Sequence, residues 1–436
     1  MKLYDHQKEA LARTKEKTHV AYYHDQGLGK TFTGAEKMKE LGARINLVIC
    51  QKSKINDWAD HFKQNYWPNL VVYNLTTTPD LFEFCSINEN GMKAYSGYHS
   101  KNVVEQIVGI INYDLVWRRK DLLKLHDFTL MLDESSLIQH QTSKRTKFIM
   151  KMQPKNVILL SGTPTGGKYE TLWTQMHLLG WNITEKMYRN HYIETEWLEN
   201  DFGKVEIVTG YKNVDRLKRK MRQFGCDFLK TEECMDLPDQ IDQKIKVDTT
   251  AEYRIFRKDS VVKFEGIKFK GDTRLTKLLC ERRLCGVWNR DKLDAFEDLL
   301  ESTADRILVF YNFVEEFNAL EHICNLQNRA VSRVDGQTKD LYAYENINDS
   351  VTLIQYQAGS MGLNLQKANR IIYFTPPLSS EFFEQSKKRI HRIGQNRTCF
   401  YYYLICRNSR EEEIYHTLAM RKDYTEALFE EEENGC

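Results

Sequence analysis

A glycine-rich turn near the amino terminus, HDQGLGKTFT from His24 to Thr33, constrains the fold more than any other feature. A strand-like run, HVAYYH, precedes this turn, and the apolar spacing after it predicts an amphipathic helix from about Thr31 to Leu41. Strand, glycine turn and helix in this order favour a phosphate-binding loop, because glycines let backbone amides approach phosphate oxygens. His24 replaces the first glycine of the usual GxxxxGK[ST] pattern, so an ordinary strand-to-helix turn is the alternative.

The side chains around this turn suit a magnesium-bound nucleoside triphosphate. Gly27 and Gly29 admit the phosphates, Lys30 is placed to reach the β- and γ-phosphates, and the hydroxyl of Thr31 can complete the coordination of Mg²⁺. Gln7, on a predicted helix before the strand, can both donate to and accept from an adenine edge, although a solvated glutamine is the plainer interpretation. ATP and Mg²⁺ are therefore the predicted ligands.

Length and composition limit the classes of protein to which this chain can belong. A chain of 436 residues is long enough for about two to three domains with their own cores. Lys and Arg (63) nearly balance Asp and Glu (61), so any nucleic-acid surface must be a local stripe. The 10 cysteines form no CxxC pair, which indicates reduced cytosolic thiols rather than a disulfide framework or a zinc site. With a polar start and no long apolar run, neither secretion nor membrane insertion is predicted.

An acidic pair follows a buried strand in the first half of the chain. The apolar run Phe128 to Leu132 predicts a central parallel strand, and Asp133 and Glu134 come at its carboxyl end. Asp133 can hold Mg²⁺ through water, while Glu134 can orient and deprotonate the water that attacks the γ-phosphate. A strand ends in such a pair by chance often, but its position about a hundred residues after GKT favours the catalytic interpretation.

The segment NVILLSGTPTGG repeats the pattern of a buried strand with polar groups at its carboxyl end. Ser161 and Thr163 follow the strand and Pro164 ends regular structure. Their hydroxyls can link hydrolysis to movement of a second domain, and a plain turn is the alternative. Further strands are predicted in ARINLVIC, LVVYNL and QIVGIINY.

The middle of the chain looks different. From Trp181 to about Asp236 the sequence is charged and aromatic and predicts helices; Leu237 to Thr250 predicts an extended linker, and Thr250 to Thr303 is mostly helical again. The domain boundary is placed near Pro238.

A second strand–helix series then begins, without a phosphate loop. Its five predicted strands are RILVFYNF, RAVSRVDG, SVTLIQYQ, NRIIYFTP and TCFYYYLI. In EQSKKRIHRIGQNR, Arg389 and Arg392 are three residues apart, so on a helix they would share a face. Two guanidinium groups on one face suit a triphosphate, whereas a basic solvated helix is the alternative.

The order of these signals resembles one family. The series DHQ, DQGLGKT, LVICQKSKINDW, INYDL, LDESS, LLSGTPTGG, VDGQT, QAGSMGLNLQKANRIIYF and RIHRIGQNR is similar to the Swi/Snf-type ATPases of helicase superfamily two, over nearly the whole chain. The resemblance implies an α/β fold with two RecA-like lobes, parallel sheets flanked by helices, and helical insertions. The implied domains are a first lobe (1–181), its helical insertion (182–236), a linker with a second helical insertion (237–303), a second lobe (304–412) and a C-terminal helix (413–436).

The resemblance also assigns roles by position. It implies that the nucleotide is bound by Gln7, Asp25, Gly27, Gly29, Lys30, Thr31 and Gly362, and that the metal is bound by Thr31 and Asp133. It assigns hydrolysis to Lys30, Asp133, Glu134, Arg389 and Arg392. The residues that it places along the nucleic-acid groove are Ser53, Asn112, Tyr113, Thr163, Ala358 and Gly359. The chain departs from the family pattern where DESS replaces DEAH, where Gln51 replaces a proline, and where DFLKTEECMDLP lacks a pair of arginines.

The implied function is an ATP-driven translocase on double-stranded or forked DNA, with single-stranded DNA as a further partner. A strand-separating DNA or RNA helicase and a non-catalytic nucleic-acid clamp are the alternatives. A compact phage or bacterial enzyme in the bacterial or infected-host cytosol is expected, and a monomer, since no heptad pattern persists.

Overall fold

The chain folds as two compact units. The second covers Asp236–Lys422 and begins beside the predicted boundary near Pro238; the first comprises the residues before Asp236 together with 423–429 at the carboxyl end of the described chain. The computed structural model describes residues 3–66, 70–90, 106–200, 203–359 and 363–429. Each unit is built around one seven-stranded sheet.

The sheet of the first unit is entirely parallel. The described strands of this unit are β1 (His19–His24), β2 (Ile45–Cys50), β3 (Leu70–Asn74), β4 (Gln106–Asn112), β5 (Thr129–Asp133), β6 (Asn156–Ser161), β7 (Ile193–Asn200), β8 (Gly203–Tyr211) and β9 (Cys226–Leu229). Seven of them pair in the order β3-β4-β2-β5-β6-β1-β9. Because these strands run the same way, their carboxyl ends lie along one edge of the sheet, where ligands bind in open α/β folds.

Helices cover both faces of this sheet. They are α1 (Asp5–Arg13), α2 (Lys30–Leu41), α3 (Ile55–Tyr66), α4 (Thr78–Asn90), α5 (Tyr113–Val116), α6 (Lys144–Ile149), α7 (Trp173–Leu178), α8 (Glu185–Tyr192) and α9 (Val214–Gln223). Two apolar clusters fill the space between helices and sheet. In α2, Gly34 allows a close approach, since a Cβ there would lie 2.9 Å from Leu160. The phosphate-loop helix is thus packed directly on the sheet.

The region predicted to be helical between Trp181 and Asp236 contains strands as well, so that prediction was partly wrong. β7 and β8 form an antiparallel hairpin of their own. Ile193, Thr195 and Trp197 alternate with glutamates, which is the period of a strand and not of a helix. β9 was also missed, and it pairs in parallel with β1 at the edge of the sheet.

The second unit repeats the architecture. Its described strands are β10 (Gln240–Val247), β11 (Val261–Phe264), β12 (Ile267–Lys270), β13 (Ile307–Tyr311), β14 (Val331–Val334), β15 (Lys339–Asp340), β16 (Val351–Gln355), β17 (Arg370–Tyr373) and β18 (Cys399–Cys406). Its helices are α10 (Ala251–Asp259), α11 (Arg274–Cys285), α12 (Arg290–Glu301), α13 (Val314–Leu326), α14 (Tyr342–Asn346), α15 (Tyr356–Gly359), α16 (Ser380–Lys387) and α17 (Arg410–Phe429). The sheet order is β10-β18-β17-β13-β16-β14-β15, parallel except for β14 with β15.

All five strands predicted for this unit are present, and one further strand comes from the predicted linker. The segment 237–250 is extended, as expected, but β10 within it pairs along its whole length with β18. The mostly helical region that follows includes the small β11–β12 hairpin. At the carboxyl end, α17 packs Ile414 and Leu418 into the apolar core of this unit. The two sheets confirm the α/β class with two RecA-like lobes.

The cysteines of the described ranges are free thiols. Cys285, Cys406 and Glu411 lie together, with ligand atoms within 4.8 Å of one another. The ammonium group of Lys292 is 2.6 Å from Glu411 and is fully buried with it, so this carboxylate already has a cationic partner. Within the described part of the chain, no helix is both long and apolar enough to cross a membrane.

Candidate nucleotide-binding site

Three neighbouring strands bring the predicted nucleotide residues to one edge of the first sheet. β5 ends at the acidic pair, β6 ends at the SGT turn, and β1 ends at the glycine-rich loop. The register pairs Asp133 with Leu160 and Tyr23 with Ser161, so the three strand ends are level. Segments that are more than a hundred residues apart in sequence therefore meet at this edge.

The glycine-rich loop has the backbone conformation that its glycines predict. Gly27 and Gly29 have φ values of 95° and 71°, a region that side-chain-bearing residues rarely adopt. Lys30 begins α2, and its Nζ donates to the carbonyl oxygens of His24 (2.9 Å) and Asp25 (3.2 Å). A Cβ on Gly162 would lie 3.2 Å from this Nζ, so the loop after β6 abuts the glycine-rich loop.

Gln7 braces this loop from α1. Its Nε2 donates to the carbonyl oxygens of Leu28 and Gly29, each at 3.2 Å, and its Oε1 accepts from the amide of Tyr4. A Cβ on Gly29 would lie only 2.4 Å from Gln7 Nε2, so the close approach requires glycine. The side chain predicted to bind adenine is 2 % exposed and bonded to the loop backbone.

The acidic pair is held from two sides. Trp58 Nε1 donates to Asp133 Oδ2 at 2.8 Å, and the hydroxyl of Tyr113 donates to the carbonyl oxygen of Asp133 at 2.9 Å. Burial raises the pKa of Asp133, while the Trp58 hydrogen bond and the charge of Lys30 act in the opposite direction. Glu134 has a φ of 53°, which is unusual for a residue with a side chain. Such strained conformations concentrate at functional sites.

The donor chemistry of this edge fits a magnesium ion. The hydroxyl of Thr31 and the carboxylate of Asp133 are hard oxygen ligands of the kind that Mg²⁺ prefers. Both residues are partly exposed.

A buried charged cluster beside the loop was missed by the sequence analysis. Asp227 on β9 accepts from Arg13 Nε and Nη2 at 2.7 and 3.0 Å, and its Oδ2 is 2.8 Å from His24 Nε2. The carboxylate of Asp25 accepts from the backbone amide and hydroxyl of Thr231 just after β9. Burial lowers the pKa of His24, and the partners His24 and Arg13 keep the pKa of Asp227 below its usual range despite burial. Contacts from Asp227 on β9 and from Thr231 just after it therefore hold His24 and Asp25, the first two residues of the HDQGLGKT segment.

The residues predicted for the nucleic-acid groove are not equally accessible. Ser53 is exposed in a short 3₁₀ turn after β2. Asn112, Tyr113 and Thr163 also lie at strand ends but are 2 to 7 % exposed, and the hydroxyl of Tyr113 is bonded to the acidic pair. Ala358 and Gly359 belong to the short helix α15, and Gly362 lies outside the described residues.

The two arginines of the second unit lie in a turn and not on a helix, which corrects the prediction. α16 ends at Lys387, before either arginine. After α16 the chain is held in a compact turn by Gln395, because its Nε2 donates to the carbonyl oxygens of Gln366, Ala368 and Ile390.

Arg389 and Arg392 nevertheless converge. Each directs an Nη1 to the carbonyl oxygen of Leu363, at 3.5 and 3.4 Å. Arg389 is 5 % exposed, and burial lowers the pKa of Arg392.

Comparisons with known proteins cover almost the whole chain. The family described as the SNF2-related domain matches residues 10–289, and the helicase conserved C-terminal domain matches residues 291–394. The mouse protein named SWI/SNF-related matrix-associated actin-dependent regulator of chromatin subfamily A member 1 is 24 % identical over 89 % of the chain and 39 % of its own length. The yeast ISWI chromatin-remodeling complex ATPase ISW2 is 23 % identical over 91 % of the chain and 38 % of its own length. The chain thus spans about two fifths of the length of these relatives.

Among solved structures, the Sulfolobus solfataricus SWI2/SNF2 ATPase core in complex with dsDNA aligns with 98 % of the chain and 92 % of its own, at 20 % identity and a TM-score of 0.42. The family match rests on the two domain descriptions, which together account for the glycine-rich loop, the acidic pair and the RIHRIGQ segment. The chain belongs to the SNF2-related family of helicase-like ATPases, as the order of its motifs predicted.

Proposed function

We propose that this chain is a DNA-dependent ATPase that acts as an ATP-driven translocase or remodeller on double-stranded or forked DNA. The observation that carries the proposal is the meeting of the glycine-rich loop, the acidic pair and the SGT turn at the ends of three adjacent strands. A triphosphate needs these three elements together, and the family membership supports the same activity.

The residues of the first unit divide the work of hydrolysis. Lys30 neutralises phosphate charge, Thr31 and Asp133 would hold Mg²⁺, and Glu134 accepts the proton of the attacking water. When bound, Mg²⁺ offsets negative charge on the phosphate oxygens. Because ionised carboxylate binds Mg²⁺ better than the protonated form, metal binding would oppose the effect of burial on Asp133.

DNA is proposed as the nucleic-acid partner on the strength of the relatives. One is named as a regulator of chromatin and the other as a chromatin-remodeling complex ATPase, and each match covers about nine tenths of this chain. With a formal charge of +2, the chain has no global attraction to DNA, so binding depends on local contacts to backbone phosphates. Such binding is nearly independent of sequence and falls steeply with salt.

Steady-state hydrolysis of ATP tests the proposal directly. The rate is measured without nucleic acid and then with single-stranded DNA, duplex DNA, forked DNA and RNA, all at one low salt concentration. The proposal predicts the largest stimulation with duplex or forked DNA. Stimulation by single strands or RNA alone would contradict it.

A strand-separating helicase is the second candidate, because residues 291–394 match the helicase conserved C-terminal domain. Two substrates distinguish the candidates: a duplex with a fluorophore and quencher reports strand separation, and a triplex reports translocation by displacement of the third strand. The translocase proposal predicts triplex displacement without duplex separation. A monomer, a cytosolic location and a compact phage or bacterial type remain predictions.

A further inference from the structure

One buried amide connects the chain segments at the ends of β1, β5 and β6, the three strands that form the candidate site. Gln175 lies on α7 and is fully buried. Its Oε1 accepts hydrogen bonds from Ser135 Oγ at 2.7 Å and from the hydroxyl of Tyr23 at 3.0 Å, and its Nε2 donates to the carbonyl oxygen of Pro164 at 2.8 Å. These partners are the direct neighbours of Glu134, of His24 and of Thr163.

The contact with Ser135 bears on the acidic pair. Glu134 is held in a left-handed conformation that costs a residue with a side chain about 1 kcal/mol or more, so its surroundings must maintain it. On one side, the hydroxyl of Tyr113 bonds the carbonyl oxygen of Asp133. On the other side, the residue after Glu134 is tied to Gln175.

We propose that Gln175 is a positioning residue that holds Glu134 in place for hydrolysis through Ser135 and couples it to the SGT turn. This inference rests on the proposed ATPase function and adds to it a residue that no motif of the sequence marks. Gln175 touches neither substrate nor metal in this account; it acts through Ser135, the residue that follows Glu134.

Ser135 makes the arrangement particular to this chain. In the family pattern DEAH the third position is alanine, which has no hydroxyl to donate, whereas DESS places a buried serine there. A buried Gln needs partners for its amide group, and all three contacts of Gln175 lie within the candidate site.

Four variants separate positioning from stability. Ser135→Ala removes the hydroxyl that links the acid to Gln175, and Ser135→Thr keeps a hydroxyl as the conservative rescue. Gln175→Leu removes the whole connection. Thr174→Val is the matched control, because Thr174 is the preceding residue on α7, is also buried, and donates to the carbonyl oxygens of Ile138 and Thr171 instead of contacting Ser135, Tyr23 or Pro164. Wild type and all four are assayed for kcat and KM for ATP with duplex DNA, well below the Tm of each.

The proposal expects Ser135→Ala and Gln175→Leu to lower kcat by up to about 100-fold with KM for ATP little changed, since a displaced catalytic group affects the chemical step. A fifth protein that combines Ser135→Ala with Gln175→Leu is assayed in the same way. Its kcat should fall no further than that of the more impaired single variant, because both changes break the same connection. Ser135→Thr should restore most of kcat, and Thr174→Val should lower Tm alone.

Two results would overturn the inference while leaving the ATPase proposal intact. One is a wild-type kcat in both Ser135→Ala and Gln175→Leu; if Gln175→Leu does not fold, wild-type kcat in Ser135→Ala alone suffices. The other is an equal loss of kcat in Thr174→Val. Absence of hydrolysis in the wild-type chain would overturn both proposals.

Discussion

The two units contain the same strand–loop–helix arrangement, but only the first has a long, glycine-rich connection between the strand and the helix. In the first unit, five residues from Asp25 to Gly29 connect β1 to α2, with glycines in left-handed conformations. In the second unit, only Asn312 and Phe313 connect β13 to α13. The longer loop can curve around an anion, whereas the shorter one leaves no room to do so.

The second unit fills the anion position with its own carboxylate. Glu316 Oε2 accepts from the amides of Asn312 (2.8 Å) and Phe313 (3.1 Å) and from the hydroxyl of Thr375 (3.0 Å). These are backbone amides of the connection into α13, the position at which the first unit has its glycine-rich loop. The comparison teaches that the fold supplies the amides in both units, while loop length and one acidic residue decide whether they are available.

The largest effect is expected for Lys30→Ala. Removal of the ammonium group should abolish ATP hydrolysis and leave the fold intact, because Lys30 is partly exposed and lies at the edge of the sheet and not in its core. Hydrolysis and circular dichroism are measured together, with Lys39→Ala on the same helix as the control. Wild-type hydrolysis by Lys30→Ala would remove the distinction between the two units.

Arg392→Ala sharpens the comparison from the second unit. If this unit contributes to turnover but not to nucleotide binding, kcat should fall by about a thousandfold or more, the range known for arginine fingers, while the affinity for ATP changes little. Arg397→Ala, which removes an exposed ion pair with Asp305, is the control with unchanged kcat. If Arg392→Ala instead lost affinity for ATP and kept the wild-type kcat, Arg392 would contribute to nucleotide binding and not to turnover, which would contradict the prediction.

Asp227→Asn tests whether β9 supports the phosphate loop. The substitution removes the charge between Arg13 and His24, and the free energy of unfolding should fall by about 1–3 kcal/mol, toward the lower value because Arg13 is partly exposed. KM for ATP should rise because the start of the loop is less well held. Chemical denaturation and steady-state kinetics measure the two effects. An unchanged KM would limit the cluster to a structural role.

Glu316→Gln should have the smallest effect on ATP hydrolysis, together with a defined pH dependence of stability. Burial raises the pKa of Glu316 to about 7, so the folded state keeps a proton that the unfolded state releases at lower pH. Its contribution to stability is therefore complete below about pH 4.3 and is lost as pH rises toward 7. The variant Glu316→Gln still offers an oxygen to the amides but does not titrate. Relative to this variant, the free energy of unfolding of the wild type should fall by at most about 1.4 kcal/mol per pH unit in this interval. Denaturation curves with parallel pH dependence would contradict this account.

Much of the fold was predictable because it depends on local patterns. Most strands of the two sheets appear as short apolar runs, and the glycine loop and the acidic pair each follow such a run directly. The β7–β8 hairpin was predictable in principle, since Ile193, Thr195 and Trp197 alternate with glutamates. Charge and aromatic content obscured that alternation and favoured helices.

The remaining features depend on contacts between distant segments. β9 has four residues, and it is a strand because β1, about two hundred residues earlier, offers it an edge. The bonds of Asp227 to His24, and of Gln175 to Ser135, likewise join segments without any periodic signal. The turn at Arg389 and Arg392 depends on Gln395 bonding to distant carbonyls. Local propensity cannot report such contacts.

The stoichiometry of nucleotide binding tests the central claim most directly. Isothermal titration with a non-hydrolysable ATP analogue and Mg²⁺ counts the sites on the wild type, on Lys30→Ala and on Glu316→Gln. The account predicts one site per chain in the wild type and in Glu316→Gln, and none in Lys30→Ala. Two sites per chain, or a single site that survives Lys30→Ala, would contradict it.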